Sequence, residues 1–220
     1  GGAGPCVLHE LQIGRLQIRG ECVMGGYHRN PKANAECMAG GGWLDSGDLG
    51  FMHRGRLALT GRAKEVVIVR GANFYCYELE DAAGDVAGVA TARVAATSVR
   101  DETGGTEALL LFFVPRDQRA VTHLHADGLL IDSLRRLVIA VRSHVAAAFG
   151  LLPRYAVPVS EEGFFRTTSG KIRRAAFKRA FLDGEYDPAL ASLDLALHTS
   201  ERGAPDFFAI PTWLPRPTTL

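Results

Sequence analysis

Cysteine is scarce in these 220 residues and scattered where it occurs. Cys6, Cys22, Cys37 and Cys76 form no C-x-x-C pair, so neither a zinc site nor a disulfide framework is indicated. A reducing, cytoplasmic setting is the expectation. Net charge is nearly absent, at +1, which argues against a general nucleic-acid binder or a membrane-surface protein while leaving room for local patches. No apolar run is long enough to cross a bilayer. The opening "GGAGPCVLHELQIGRLQ" lacks the basic start and apolar stretch of a signal peptide. A Walker loop is missing too, because no glycine stands five residues ahead of a G-K-[ST]. There is no internal repeat. Apolar residues are plentiful, at 47%, enough for the core of one large domain or two small ones.

Strand signals begin early. "RLQIRG" (15–20) alternates polar and apolar residues and ends in glycine. "YHRNPKANAECM" (27–38) is a polar loop with a short helix. "GGWLDSGDLGFMHRGRLALTGR" (41–62) reads as turn, strand, tight turn, strand, punctuated by Gly47, Gly50, Gly55 and Gly61. "EVVIVRG" (65–71) is a buried β-branched strand and "YELEDAAGDV" (77–86) a short helix. "TARVAATSV" (91–99) and "EALLLFFVP" (107–115) are strands joined by a glycine turn. Over 130–150, Leu130, Leu134, Leu137, Val138, Val141, Val145 and Ala148 recur at helical spacing, and Gly150 stands just past the end. "YAVPVS" (155–160) is a strand, and "KIRRAAFKRAFLDG" (171–184) a basic amphipathic helix. The order from residue 65 is β, α, β, β, α, β, α, a small α+β unit with helices on a short sheet. From about residue 187 the chain reads as a linker, with an aromatic anchor at Phe207, Phe208 and Trp213.

Four places carry candidate chemistry. "DSGDLG" (45–50) sets Asp48 at a glycine turn, where a carboxylate can accept two hydrogen bonds from a diol; taken alone, the six residues are more simply an Asx turn. In "GRAKE" (61–65), Arg62 is a fork of donors for a ribose or phosphate, and Lys64 sits in a connection short enough to act as a hinge. A solvated charge pair is the plain alternative. Gly71 in "RGANFYCYELE" (70–80) lets backbone approach a ligand, while Phe74, Tyr75 and Tyr77 read as packing. Lys171 follows the small residues Thr167, Thr168, Ser169 and Gly170 and opens a helix, whose positive end favours anions. Its alternatives are a solvated basic helix end or, with Arg173, Arg174, Lys178 and Arg179, a nucleic-acid patch. The low net charge and the lack of a stacking aromatic row weigh against the last.

In sequence, "GRLQIRGECVMGGYHRNP", "GWLDSGDLG", "LTGRAKEVVIVRGANFYCYELE" and "RTTSGKIRRAAFKRAFLDGE" resemble the closing motifs of the adenylate-forming superfamily of acyl-CoA synthetases, adenylation domains and luciferases. The nearest resemblance is to the fatty acyl-AMP ligase branch, including the acyl-ligase loading domains of polyketide synthases. That branch favours G-R-x-K-[DE]-x-I-I-x-x-G-x-N-x-Y-P, and here Cys76 replaces the proline. The resemblance implies an α+β fold: the end of a distorted β-barrel subdomain over 1–63, a C-terminal lid domain over 64–187 and a linker or tail over 188–220. It implies that ATP with Mg2+ and a fatty carboxylic acid give an acyl-adenylate, which passes to the phosphopantetheine thiol of an acyl carrier protein. By the same resemblance, Asp48 binds the ribose hydroxyls and Arg62 the nucleotide. Lys64 is the hinge, Gly71 lines the thiol tunnel, and Lys171 is the catalytic lysine between carboxylate and α-phosphate.

Three departures stand out. Ser46 replaces the commoner threonine, the usual proline before R-T-x-S-G-K is missing, and the family's early motifs, with the acyl and adenine sites, do not occur in these residues. The expectation is therefore a C-terminal portion that works with its own N-terminal adenylation domain and is inactive alone. Two alternatives remain: the lid of an acyl-CoA synthetase, and a catalytically silent scaffolding module of the same fold. Neither a nucleic-acid partner nor a membrane span is expected.

Overall fold

A computed structural model describes residues 7–101, 106–122 and 128–200. The chain divides into two units, Gly1–Val66 and Val67–Leu220. The aromatic anchor expected at Phe207, Phe208 and Trp213 lies outside the described residues.

The first unit is built on one long strand. β1 (Gly14–Ile18), α1 (Pro31–Cys37), β2 (Met38–Ala39), β3 (Trp43–His53) and β4 (Arg56–Arg62) follow in order, and β3 pairs antiparallel with the other three strands. The β3–β4 hairpin closes through Arg54 (φ 50°) and Gly55 (φ 72°), both left-handed. That is the primed turn whose twist suits a two-residue hairpin. Asn30 caps α1 by accepting the Ala33 N–H at 3.1 Å, and Pro31 sits where a missing N–H costs nothing. Among the described residues of this unit no hydrophobic side chain is fully buried. Leu11, Ile13, Met52, Leu57 and Leu59 are exposed. Leu8, Leu16, Trp43, Phe51 and Met52 line an open groove of about 420 Å³. The expected end of a barrel subdomain is met as sheet, and among the described residues there is no closed barrel.

The second unit has a continuous core. β5 (Val66–Val69) and β6 (Ala72–Tyr75) make a two-stranded sheet. α2 (Cys76–Gly84) leads to β7 (Val89–Asp101), β8 (Thr106–Pro115), α3 (Arg119–Thr122), α4 (Gly128–Phe149) and β9 (Tyr155–Pro158). α5 (Arg174–Leu182) and α6 (Asp187–Ser200) complete it. β8 is central, antiparallel to β7 and parallel to β9. Leu109 to Val114 are each at most 1% exposed, which explains why this stretch reads as an unbroken apolar run and not as an alternation. Leu134, Val138, Val141 and Val145 form the buried stripe of α4. Phe112 packs with its centroid 4.9 Å from Phe177 and 5.1 Å from Tyr186, while Phe164 and Phe165 close on Phe177 from the loop before α5.

Three expectations change here. The segment from 187 to 200, read as linker, is helical, and its Leu190 and Leu193 are buried in the core. Residues 72–75, unassigned from sequence, form the return strand of a hairpin about Arg70 (φ 50°) and Gly71 (φ 82°). The basic helix begins at Arg174 and not at Lys171. Lys171 and Ile172 instead pair back onto Thr167 and Arg166, and Arg173, at φ −94° and ψ 68°, is the non-helical cap from which α5 starts.

Candidate active site

On the first unit, β3 and β4 bring two of the expected residues together. Asp48 and Arg62 are register partners, and Arg62 Nε donates to Asp48 Oδ1 at 3.0 Å. The turn before Asp48 is made by its neighbours. Asp45 Oδ1 accepts the Gly47 N–H at 2.9 Å, and Ser46 Oγ accepts the Asp48 N–H at 3.1 Å. The Asx turn therefore belongs to Asp45, which also pairs with Arg15 at 2.8 Å. Asp48 is relieved of that local duty. One of its carboxylate oxygens is held by Arg62, and its side chain keeps 25% exposure from which the other can reach a ligand hydroxyl. Gly47 adopts φ 77°, so a side chain there would strain the turn that aims Asp48.

Lys64 stands in the one-turn 3₁₀ segment Ala63–Glu65, two residues past β4. Its Nζ donates to Glu36 Oε2 at 3.2 Å, and both side chains are largely exposed. A pair of this kind contributes at most about 1 kcal/mol. It restrains the Lys64 side chain only weakly. Glu36 was not legible as its partner, because the two residues are far apart in sequence and meet only across α1.

The second unit holds Lys171 and Gly71. Lys171 sits on a short hairpin rather than at the first turn of a helix. Arg166 bridges Ile172, Thr167 N donates to Lys171 O at 2.9 Å, and Gly170 N donates to Thr167 O at 2.9 Å. Thr167 Oγ1 accepts the Lys171 N–H at 3.0 Å, so one threonine grips the lysine's backbone from both sides. The Lys171 ammonium is exposed and bonds none of the described residues. Its position three residues ahead of α5 removes the helix end as its anion-binding aid; the lysine presents its charge alone.

The hairpin is anchored at its base. Arg166 Nη2 donates to Ala92 O on the irregular start of β7, and its guanidinium lies 5.2 Å over the Phe164 ring. Burial, with the nearby Arg93 adding, pulls the Arg166 guanidinium below its ordinary value. Below the hairpin, Arg174 grips Glu80 of α2 with two bonds of 2.7 Å, and Glu80 Oε1 also accepts the Ala96 N–H at 2.8 Å. From sequence Glu80 was read only as a helix residue, and Arg174 as one charge of a basic helix end or nucleic-acid patch, not as its partner. At the other end of α2, Gly71 stands at the tip of the β5–β6 turn, with open space where a Cβ would be. Phe74 packs edge-on to Phe149 and Tyr75 lies against Tyr77, as expected for packing residues, although Tyr77 stays half exposed.

Among the described residues no group of three or more metal-ligating side chains gathers, and no helix is long and apolar enough to cross a membrane. No family model matches the chain. Individual proteins do. The atromentin synthetase invA1 of Paxillus involutus is 32% identical over 193 residues, 88% of this chain and 19% of that protein. The McyG A-PCP structure complexed with phenylalanyl-adenylate superposes with a TM-score of 0.74 at 32% identity, over 86% of this chain and 32% of that one. The multidomain structure of a keto acid-selecting NRPS module, with adenylation, ketoreductase and pseudo Asub domains, gives 0.73 at 41% identity, over 86% and 15%. The fatty acyl-adenylate ligases from E. coli and L. pneumophila give 0.61 at 25% identity, over 84% and 29%. The chain spans less than a third of the length of the curated relatives it matches.

Proposed function

The chain belongs to the adenylate-forming superfamily, as a C-terminal portion of such enzymes, and on that premise we propose that it serves an ATP-dependent ligase that activates a carboxylic acid and hands it to a phosphopantetheine thiol on a carrier protein. The observation that carries this reading is Lys171: an ammonium that bonds none of the described residues, on a hairpin tied through Arg166 to Ala92 and followed by α5, which Arg174 ties to Glu80. A solvated basic helix end needs no such scaffold. In this reading a substrate carboxylate oxygen attacks the α-phosphorus of ATP, the bond to the β-phosphate oxygen breaks, and pyrophosphate leaves. Lys171 stabilises negative charge shared between the carboxylate and the α-phosphate, a preorganised electrostatic role. Asp48 accepts from the ribose hydroxyls through the oxygen that Arg62 leaves to it, and Arg62 holds Asp48 in orientation beside the nucleotide. A thiol then attacks the acyl carbon, loses its proton, and AMP departs. Lys64 supplies the backbone pivot between the two steps and Gly71 the close backbone approach to the thiol arm.

Alone, these residues are proposed to be inactive. The first unit buries no described hydrophobic side chain and exposes a row of large ones, so its sheet needs another surface to cover it. The rest of the adenylation domain would provide that surface.

Which acid is used has two readings. The motif resemblance favours a fatty acid. The 41% identity with a keto acid-selecting module, against 25% with the fatty acyl-adenylate ligases, favours a keto acid as the second. The test is to give the full-length parent ATP, panels of fatty and keto acids, and either CoA or a holo carrier protein. The proposal expects adenylate formation and acylation of the carrier. Acylation of CoA alone would move the protein to the synthetase branch, and no adenylate with any acid would favour the silent module.

A further inference from the structure

The β5–β6 hairpin that presents Gly71 forms a separate two-stranded sheet, and yet its outer edge is not bare. Ile68 and Arg70 stand two apart on and just past β5, so their N–H groups point the same way. The Ile68 N–H donates to Glu107 Oε2 at 2.7 Å, and the Arg70 N–H donates to Thr106 Oγ1 at 2.8 Å. Thr106 and Glu107 are consecutive residues at the start of β8. Glu107 Oε2 also accepts Ser98 Oγ of β7 at 2.8 Å, which aims the carboxylate from the sheet side. Two side chains thus replace the backbone ladder that would otherwise satisfy this edge. A carboxylate accepting a backbone N–H makes a charge-assisted bond, stronger than a neutral one.

The geometry points to Glu107 as a positioning residue for thiol transfer: it holds the Arg70–Gly71 turn where the incoming thiol arm must pass, with Thr106 as its second point of attachment. This rests on the proposed role of Gly71. Among the described residues, the clamp's bonds run from Glu107 and Thr106 to Ile68, Arg70 and Ser98, whereas the anchors of the Lys171 hairpin run through Arg166 to Ala92 and through Arg174 to Glu80. Separate networks give nearly additive, separable effects. Loss of Glu107 therefore acts on acyl transfer and spares adenylate formation. Arg70 adds a reason for the clamp's importance. A non-glycine residue at φ 50° is strained, and the Thr106 bond to its N–H helps hold it there.

The test uses the full-length parent with Glu107→Gln and Glu107→Ala, and with Thr106→Val in case the alanine variant does not fold. Three quantities are read: ATP–pyrophosphate exchange, acyl transfer from preformed adenylate to CoA and to a holo carrier protein, and amide hydrogen exchange at Ile68 and Arg70. For Glu107→Ala, transfer falls on the order of ten- to a hundredfold, as expected of a group displaced by about an ångström, while pyrophosphate exchange stays within about twofold. Glu107→Gln, which keeps an acceptor oxygen, recovers part of the loss. The Ile68 amide exchanges faster in Glu107→Ala and the Arg70 amide in Thr106→Val. Equal falls in both half-reactions would reduce Glu107 to a stabilising residue and overturn the inference. Wild-type transfer with a faster Ile68 amide would also overturn it, leaving the clamp real but idle. A wild-type parent that forms no adenylate would overturn the reading beneath it, a result seen before any variant is made.

Discussion

Arg174→Met should unfold the second unit far more readily than any surface change. Arg174 and Glu80 bind through two contacts of 2.7 Å, at 17% and 9% side-chain exposure. Exposed pairs of this composition contribute about 0–1 kcal/mol. This one is shielded, and methionine would fill the arginine's stem volume while leaving the Glu80 carboxylate without its guanidinium. Uncompensated burial of one partner costs about 3–5 kcal/mol. For a unit of this size each kcal/mol moves the melting temperature by about 2–4 °C, so the fall should be roughly 10 °C. Thermal and urea unfolding of the chain, followed by circular dichroism, measure it. The double variant Glu80→Leu/Arg174→Met removes both charges and should be more stable than Arg174→Met alone, although the Ala96 N–H then loses an acceptor. A loss below about 1 kcal/mol for Arg174→Met would refute the reasoning, since it would mean that water already screens the pair.

Other outcomes follow from the same geometry. Lys171→Ala in the full-length parent should slow adenylate formation on the order of a hundred- to a thousandfold, the scale of a lost electrostatic donor; its exposed side chain bonds no described residue, so unfolding should move by less than about 0.5 kcal/mol. Burial raises the Tyr186 phenol above its ordinary value of 10.0, so the unfolded chain ionises first as pH rises. The stability that Tyr186 contributes is thus whole below about pH 10 and is lost as pH climbs beyond it, and Tyr186→Phe should blunt that alkaline loss in denaturation curves taken between pH 9 and pH 11 (about one unit either side). Gly170→Val, forced to φ 82°, should cost about 1–2 kcal/mol and displace Lys171, read as slower pyrophosphate exchange with the ATP KM little changed.

Much of the second unit was legible because its signals are local. The α4 stripe repeats at helical spacing, the β8 run is unbroken because both faces are covered, and both map onto buried residues. Boundaries failed where a single torsion decided them. Gly170 was read as the last of the small residues leading into a helix at Lys171, but with Thr167 it folds a hairpin, and α5 begins at Arg174. The segment after 187 was read as a linker, yet Leu190 and Leu193 find a core there. Amphipathic spacing over a few residues does not say whether a partner surface exists.

Sequence alone pointed to the superfamily. Asp48, Arg62, Lys64, Gly71 and Lys171 stand in motifs whose order and spacing point to one superfamily, and the comparisons place the chain there. Tertiary structure decided how those residues are held. Asp48 meets Arg62 across a strand pair, Glu36 meets Lys64, Arg174 meets Glu80, and Glu107 meets Ile68. Each of these contacts joins residues distant in sequence. Residue type and local period carry no information on such pairings; strand register and helix packing create them.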